Sequence, residues 1–151
     1  MSGREVIGRD VIASLVPHGG AMCLWDAVVA WDAQRIALRC DGHRDPAHPL
    51  RSNDQLRAVH LCEYGAQAMA VHGGLLARER GGVAPPGMLV ALRGVELHCA
   101  RIDDLPGPLD CEAEALIAGD DAQQYRFTIR HRGTLLAEGR AAVMLRQETV
   151  R

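Results

Sequence analysis

Lysine is missing from the 151 residues, and all 17 basic side chains are arginine. That excludes Schiff-base chemistry on lysine and any phosphate-binding loop that relies on one. Aromatic residues make up 3% of the chain, so its core must rest on Leu, Val, Ala, Met and Ile. The cysteines Cys23, Cys40, Cys62, Cys99 and Cys111 are scattered, odd in number and form no C-x-x-C pair. They read as small apolar residues in a reducing compartment. The opening MSGREVIGRDVIASLV carries charges among its apolar residues and lacks the apolar stretch of a secretory signal. No uncharged run reaches about 18 apolar residues, so no membrane span is expected and a cytoplasmic location is. A net charge of −2 gives no electrostatic case for nucleic acid or an anionic membrane. There is no G-x-S-x-G nucleophile motif. His98 beside Cys99 has no second pair at ligand spacing, so no metal is expected.

Hydrophobic residues account for 48% of the sequence, enough for a sizeable core in one domain spanning 1–151. Residues 10–15 predict a short helix, with Asp10 as its cap and Pro17 as its stop. Residues 22–31 read as a strand, apolar except for Asp26, which is expected to be a structural hydrogen-bond acceptor. Ile36, Leu38 and Cys40 alternate with Arg35, Ala37 and Arg39, the period of a strand with one buried face. Residues 41–54, DGHRDPAHPLRSND, form a polar loop of a length associated with function, with Asn53 or Asp54 placed to cap the next helix. Residues 56–79 form that helix, apolar on nearly every side and therefore expected in the middle of the domain. Four strands come after it, at 88–98, 109–118, 123–132 and 134–145, the last two joined through a tight turn at HRG. An antiparallel sheet around one apolar helix satisfies both hydrophobic surfaces, and its remaining edges predict a dimer.

Between Arg57 and Arg78 this helix has one residue charged at neutral pH, Glu63. If the helix is buried, an unpaired carboxylate there costs several kcal/mol unless it takes up a proton or meets a partner. Such a group is a candidate acid or base in a pocket, although a structural carboxylate paired with an arginine would also account for it. Gln67, four residues on, and His60, three residues back, share the face of Glu63. His72 lies on another face and is expected to be a core histidine with its hydrogen bonds made.

LVPHGGAMCLWD (15–26) and CEYGAQAMAVHG (62–73) together resemble the beta-hydroxyacyl carrier-protein dehydratase group of the hotdog superfamily, in particular the divergent dehydratase-like branch associated with aryl polyene, pigment and polyketide genes. The element order is similar over essentially the whole chain. The resemblance implies an α+β hotdog fold, a curved antiparallel sheet wrapped around one long helix. It also implies dehydration of a 3-hydroxyacyl thioester to a trans-2-enoyl thioester, in fatty-acid, polyketide or aryl polyene synthesis. The acyl chain would ride on phosphopantetheine of an acyl carrier protein, with no bound cofactor. In such enzymes a loop histidine removes the alpha proton, an acid on the helix of the partner subunit protonates the leaving hydroxyl, and backbone N–H groups at the helix start hold the thioester carbonyl. Carried onto this sequence, the acid is Glu63 and the base is His48 or His43, with His60 third; Gln67, His60 and His18 are the substrate-binding candidates.

The loop departs from the family pattern. His43 keeps the Gly-His dipeptide, His48 stands nearer to Glu63 in the chain, and Arg57-Ala58 replaces a Pro-Gly. His18 matches the opening Pro-His, and its ring is read first as a tie across the turn. The arginines of RFTIRHRG are read as a solvated hairpin, with a docking patch for the acidic carrier protein as the alternative. Three readings stand at this point: a dehydratase, a hotdog thioesterase in which Glu63 activates water, and a non-catalytic subunit partnering an active hotdog chain. Homodimer and heterodimer both remain open, as does a higher oligomer.

Overall fold

The computed structural model describes residues 6–16, 22–82, 87–119 and 121–145. Strand β1 (Ile7–Gly8) leads into helix α1 (Arg9–Leu15). Strands β2 (Ala27–Trp31) and β3 (Arg35–Cys40) precede helix α2 (Leu61–Glu79), and β4 (Gly87–Leu97), β5 (Leu109–Ala118), β6 (Ala122–His131) and β7 (Thr134–Leu145) complete the chain. The strands form one antiparallel sheet in the order β1-β2-β3-β5-β6-β7-β4. Helix α2 packs on β3, β5, β6 and β7, and α1 packs against α2. This is the hotdog architecture.

The period-2 pattern explains the sheet. Ile36 and Leu38 of β3, Cys111 and Ala113 of β5, Tyr125, Phe127 and Ile129 of β6, and Ala137 and Ala141 of β7 are all buried against the helix. Helix α2 answers with Leu61, Tyr64, Ala68, Val71 and Leu75, the spacing of one helical face. Close approach depends on Gly65: a Cβ there would stand 2.6 Å from Cγ of Phe127. The helix ends in a Schellman arrangement, with Gly81 at φ +80 and the N–H of Gly82 donating to the carbonyl of Ala77 at 2.9 Å.

Several boundaries differ from expectation. The short helix starts at Arg9 after Gly8, so Asp10 sits in the first turn rather than at the cap, where it still meets the positive end of the helix. Residues 22–26 are not strand: buried Cys23, Leu24 and Trp25 are held by bonds to α2, and regular pairing with β3 starts at Ala27. The long helix begins at Leu61, after a 3-10 turn at Ala58–His60. Its start is braced instead by backbone pairing, with Ala58 N–H donating to Ala100 O (3.0 Å) and Ile102 N–H to Leu56 O (2.9 Å). Asn53 and Asp54 do not cap the helix. Both have positive φ and form a two-residue turn closed by reciprocal Ser52–Gln55 bonds. Asp26 is the expected acceptor, bonded by Arg9 Nη1 (3.0 Å) and by the N–H of Asp41 (2.8 Å).

Candidate active site

Glu63 stands in the first turn of α2, and here the structure corrects the sequence. The carboxylate is exposed in the single chain and has no hydrogen-bond or ion-pair partner among the described residues. Helix α2 is not covered on every side. Glu63, Ala66, Ala70 and Gly73 form a stripe that the chain's own sheet leaves exposed or half-exposed. Reading Ala and Gly as apolar made the helix look buried all round.

Gln67 does not reach back to Glu63. Its Nε2 donates to Met22 O at 2.7 Å and its Oε1 accepts from Leu24 N–H at 2.6 Å. Both ends of the amide are therefore used to clamp the 22–24 segment to the helix. Trp25 Nε1 adds a third tie by donating to the Tyr64 carbonyl at 2.9 Å.

The loop histidines are also engaged. At His48 the Leu50 N–H donates to Nδ1 (3.1 Å), so Nε2 carries the proton and faces the Tyr64 hydroxyl at 2.9 Å. The rings of His48 and Tyr64 lie stacked at 6.2 Å. Burial holds this imidazole's pKa below its ordinary value, with Arg51 and His60 acting in the same direction. His43 is fully buried; its Nε2–H donates to Leu105 O at 2.8 Å, and its Nδ1 finds no partner. Burial lowers its pKa as well, against the opposing effect of the Leu105 bond. Neither ring presents a free lone pair to solvent. The ring of His60, half-buried at the end of the 3-10 turn and three residues before Glu63, has no hydrogen-bond partner among the described residues. His18 lies outside the described residues.

His72 is a satisfied core histidine. Its Nε2–H donates to Asp32 O (2.7 Å), and Tyr125 Oη–H donates to its Nδ1 (2.5 Å). Burial lowers its pKa, so the neutral form fits both bonds.

Two contributors escaped sequence reasoning. Tyr64, beside Glu63, orients His48; a buried tyrosine hydroxyl needs a partner, and that requirement was the available signal. Asp103 is buried, accepts the Leu56 N–H at 2.8 Å and pairs with Arg101, which holds its carboxyl well below the usual carboxylate range. It fixes the chain just before the 3-10 turn. Nothing in its local sequence, RIDDLPG, marks Asp103 apart from Asp104.

Strand β4 forms one edge of the sheet, and Met88, Leu89, Val90, Leu92 and Leu97 on it are exposed. The arginines of β6 project from the outer sheet face. Among the described residues no helix is long and apolar enough to cross a membrane.

A family model described as ApeP-like, ApeP dehydratase, matches residues 11–150. No curated protein matches the chain at a significant level. Among solved structures, the dehydratase heterocomplex ApeI:P from Xenorhabdus doucetiae is similar over 94% of this chain and 93% of its own, with 22% identity and a TM-score of 0.82. A thioesterase from Haemophilus influenzae is similar over 97% of this chain and 96% of its own, with 11% identity and a TM-score of 0.59. AziG from S. sahachiroi is similar over 77% of this chain and 87% of its own, at 17% identity and a TM-score of 0.52. At these identities the structural likenesses establish the fold.

Proposed function

The chain belongs to the ApeP-like dehydratase family, and from that premise we propose that it is a subunit of a 3-hydroxyacyl thioester dehydratase that works on substrates carried by an acyl carrier protein. A base removes the alpha proton of the 3-hydroxyacyl chain. Those electrons form the new double bond, the C–O bond breaks, and the hydroxyl leaves as water with a proton from Glu63. The products are a trans-2-enoyl thioester and one water, with no bound cofactor needed.

The observation that carries this reading is the placement of Glu63, without a partner among the described residues, at the start of the central helix on a stripe that its own sheet leaves open. A second chain laid over that stripe would enclose the carboxyl in a pocket, beside the hydroxyl it is to protonate. Edge strand β4, with its exposed apolar side chains, is the surface along which such a chain would add. The likeness to a dehydratase heterocomplex supports a second, different hotdog subunit in that place.

Both ring nitrogens of His48 are bonded, and the one unbonded nitrogen of His43 is buried, so among the described residues the base falls to His60, or else to an imidazole of the partner. That same commitment favours a second reading, in which this chain is a non-catalytic subunit that completes its partner. Incubating the chain, alone and with its co-purified partner, with a 3-hydroxyacyl thioester separates the readings. Formation of the enoyl thioester supports the dehydratase. Release of free thiol contradicts it in favour of thioester hydrolysis. Activity that is unchanged when Glu63 is replaced by Gln, in an assembly retaining the partner, assigns the chemistry to the partner.

A further inference from the structure

The end of β4 and the facing part of β7 bring together three metal-ligating groups. Strand β4 carries a register irregularity between Arg93 and Glu96, with Gly94 at φ +58. A bulge re-aims the side chains beyond it, and here it sets Glu96 directly opposite Glu138 of β7. Two like charges facing each other across an antiparallel pair work against the sheet. Past them the His98 N–H donates to Leu136 O at 2.8 Å, anchoring the backbone, and the His98 ring turns its Nε2 to 3.8 Å from Glu138 Oε2. One donor atom from each of Glu96, His98 and Glu138 lies within 4.8 Å of the other two.

We propose that Glu96, His98 and Glu138 bind a divalent first-row cation of the zinc class, which pins the bulged end of β4 to β7. An imidazole with two carboxylates is a donor set such ions accept, and three protein ligands leave an open position for water. Ligands at 2.0–2.2 Å from zinc stand roughly 3.3–3.6 Å apart, so these side chains must close by about an ångström. They are free to do so: the side chains of His98 and Glu138 are 42% and 36% exposed. The bound cation offsets the repulsion between the two carboxylates. Spacing along the chain gave no hint of the site, because Glu138 reaches it from a strand distant in sequence.

The test uses the full chain stripped with chelator and titrated with zinc chloride by calorimetry, with cobalt(II) as a spectroscopic probe. The expected result is one saturable site per chain, a higher Tm with zinc, and cobalt d–d absorption without a thiolate charge-transfer band. His98→Ala and Glu138→Gln should each weaken binding by roughly tenfold or more. Cys99→Ser, which removes the neighbouring thiol, and Glu112→Gln, which removes another exposed carboxylate of the outer face, should leave binding unchanged. Where a variant folds poorly, Glu96→Gln replaces it in the series. Absence of saturable binding, binding undiminished in the His98 and Glu138 variants, or loss of binding in Cys99→Ser overturns the proposal.

Discussion

At the scale of single residues, the same side-chain type serves unlike purposes here, and burial decides which. Removal from water lowers the pKa of His72, His43 and His48, with His72 set between a carbonyl and a tyrosine hydroxyl. The sign of the resulting pH dependence is set by that removal. Each folded-state pKa lies below the unfolded value of about 6.5, so the unfolded chain binds more protons in that window. Their contribution to stability is complete above about 6.5 and is lost as pH falls below it. Thermal unfolding should therefore show Tm dropping as pH falls from 7 toward 5, and His72→Gln should lower Tm at pH 8 while flattening that slope. An unaltered slope in the variant would contradict the assignment. The histidines also mark a limit of sequence reading. His72 was legible as a core residue because it sits among apolar neighbours at helical spacing. His43 and His48 looked like free loop groups, since their partners, Leu105 and Tyr64, come from distant parts of the chain.

Elements were legible where a period was enforced by one buried face. Strands β3, β5, β6 and β7 fall close to their expected bounds because alternation there reflects burial directly. Residues 22–26 mislead because they are buried without a regular ladder, their polar groups being met by Gln67 and by the carbonyl of Tyr64. Helix α2 misleads in the opposite way: its small residues give no sign that one stripe stays uncovered. Its start is set by tertiary bonds with no capping side chain, which is why no local signal marked it. That arrangement makes Asp103 a positioning residue. Asp103→Ala leaves the buried Leu56 N–H without its acceptor and should destabilise the fold by about 1–3 kcal/mol, read as a lower Tm. A Tm equal to that of the native chain would show that the helix start is held without it.

For the whole molecule, the fold class and the place of Glu63 on the central helix were legible, while its position in the first turn and its exposure in a single chain were not. Exposure depends on which face of α2 the sheet covers, and the small residues of the stripe carry no local mark of that. The exposed apolar residues of β4 and the open stripe of α2 are the two surfaces on which the proposal of a second subunit rests. Leu92→Glu places a charge on that edge and should shift the assembly to single chains in size-exclusion chromatography with light scattering, with activity falling alongside. An intact assembly in the variant would move the interface elsewhere. The central claim, that Glu63 delivers the proton to the departing hydroxyl, is tested most directly by mass spectrometry of a carrier-protein-bound 3-hydroxyacyl chain incubated with the native assembly or with Glu63→Gln. The account predicts loss of water from the substrate with the native assembly and a rate lower by about a hundredfold or more with the variant, while its assembly and Tm stay unchanged. Equal rates in the two would contradict it.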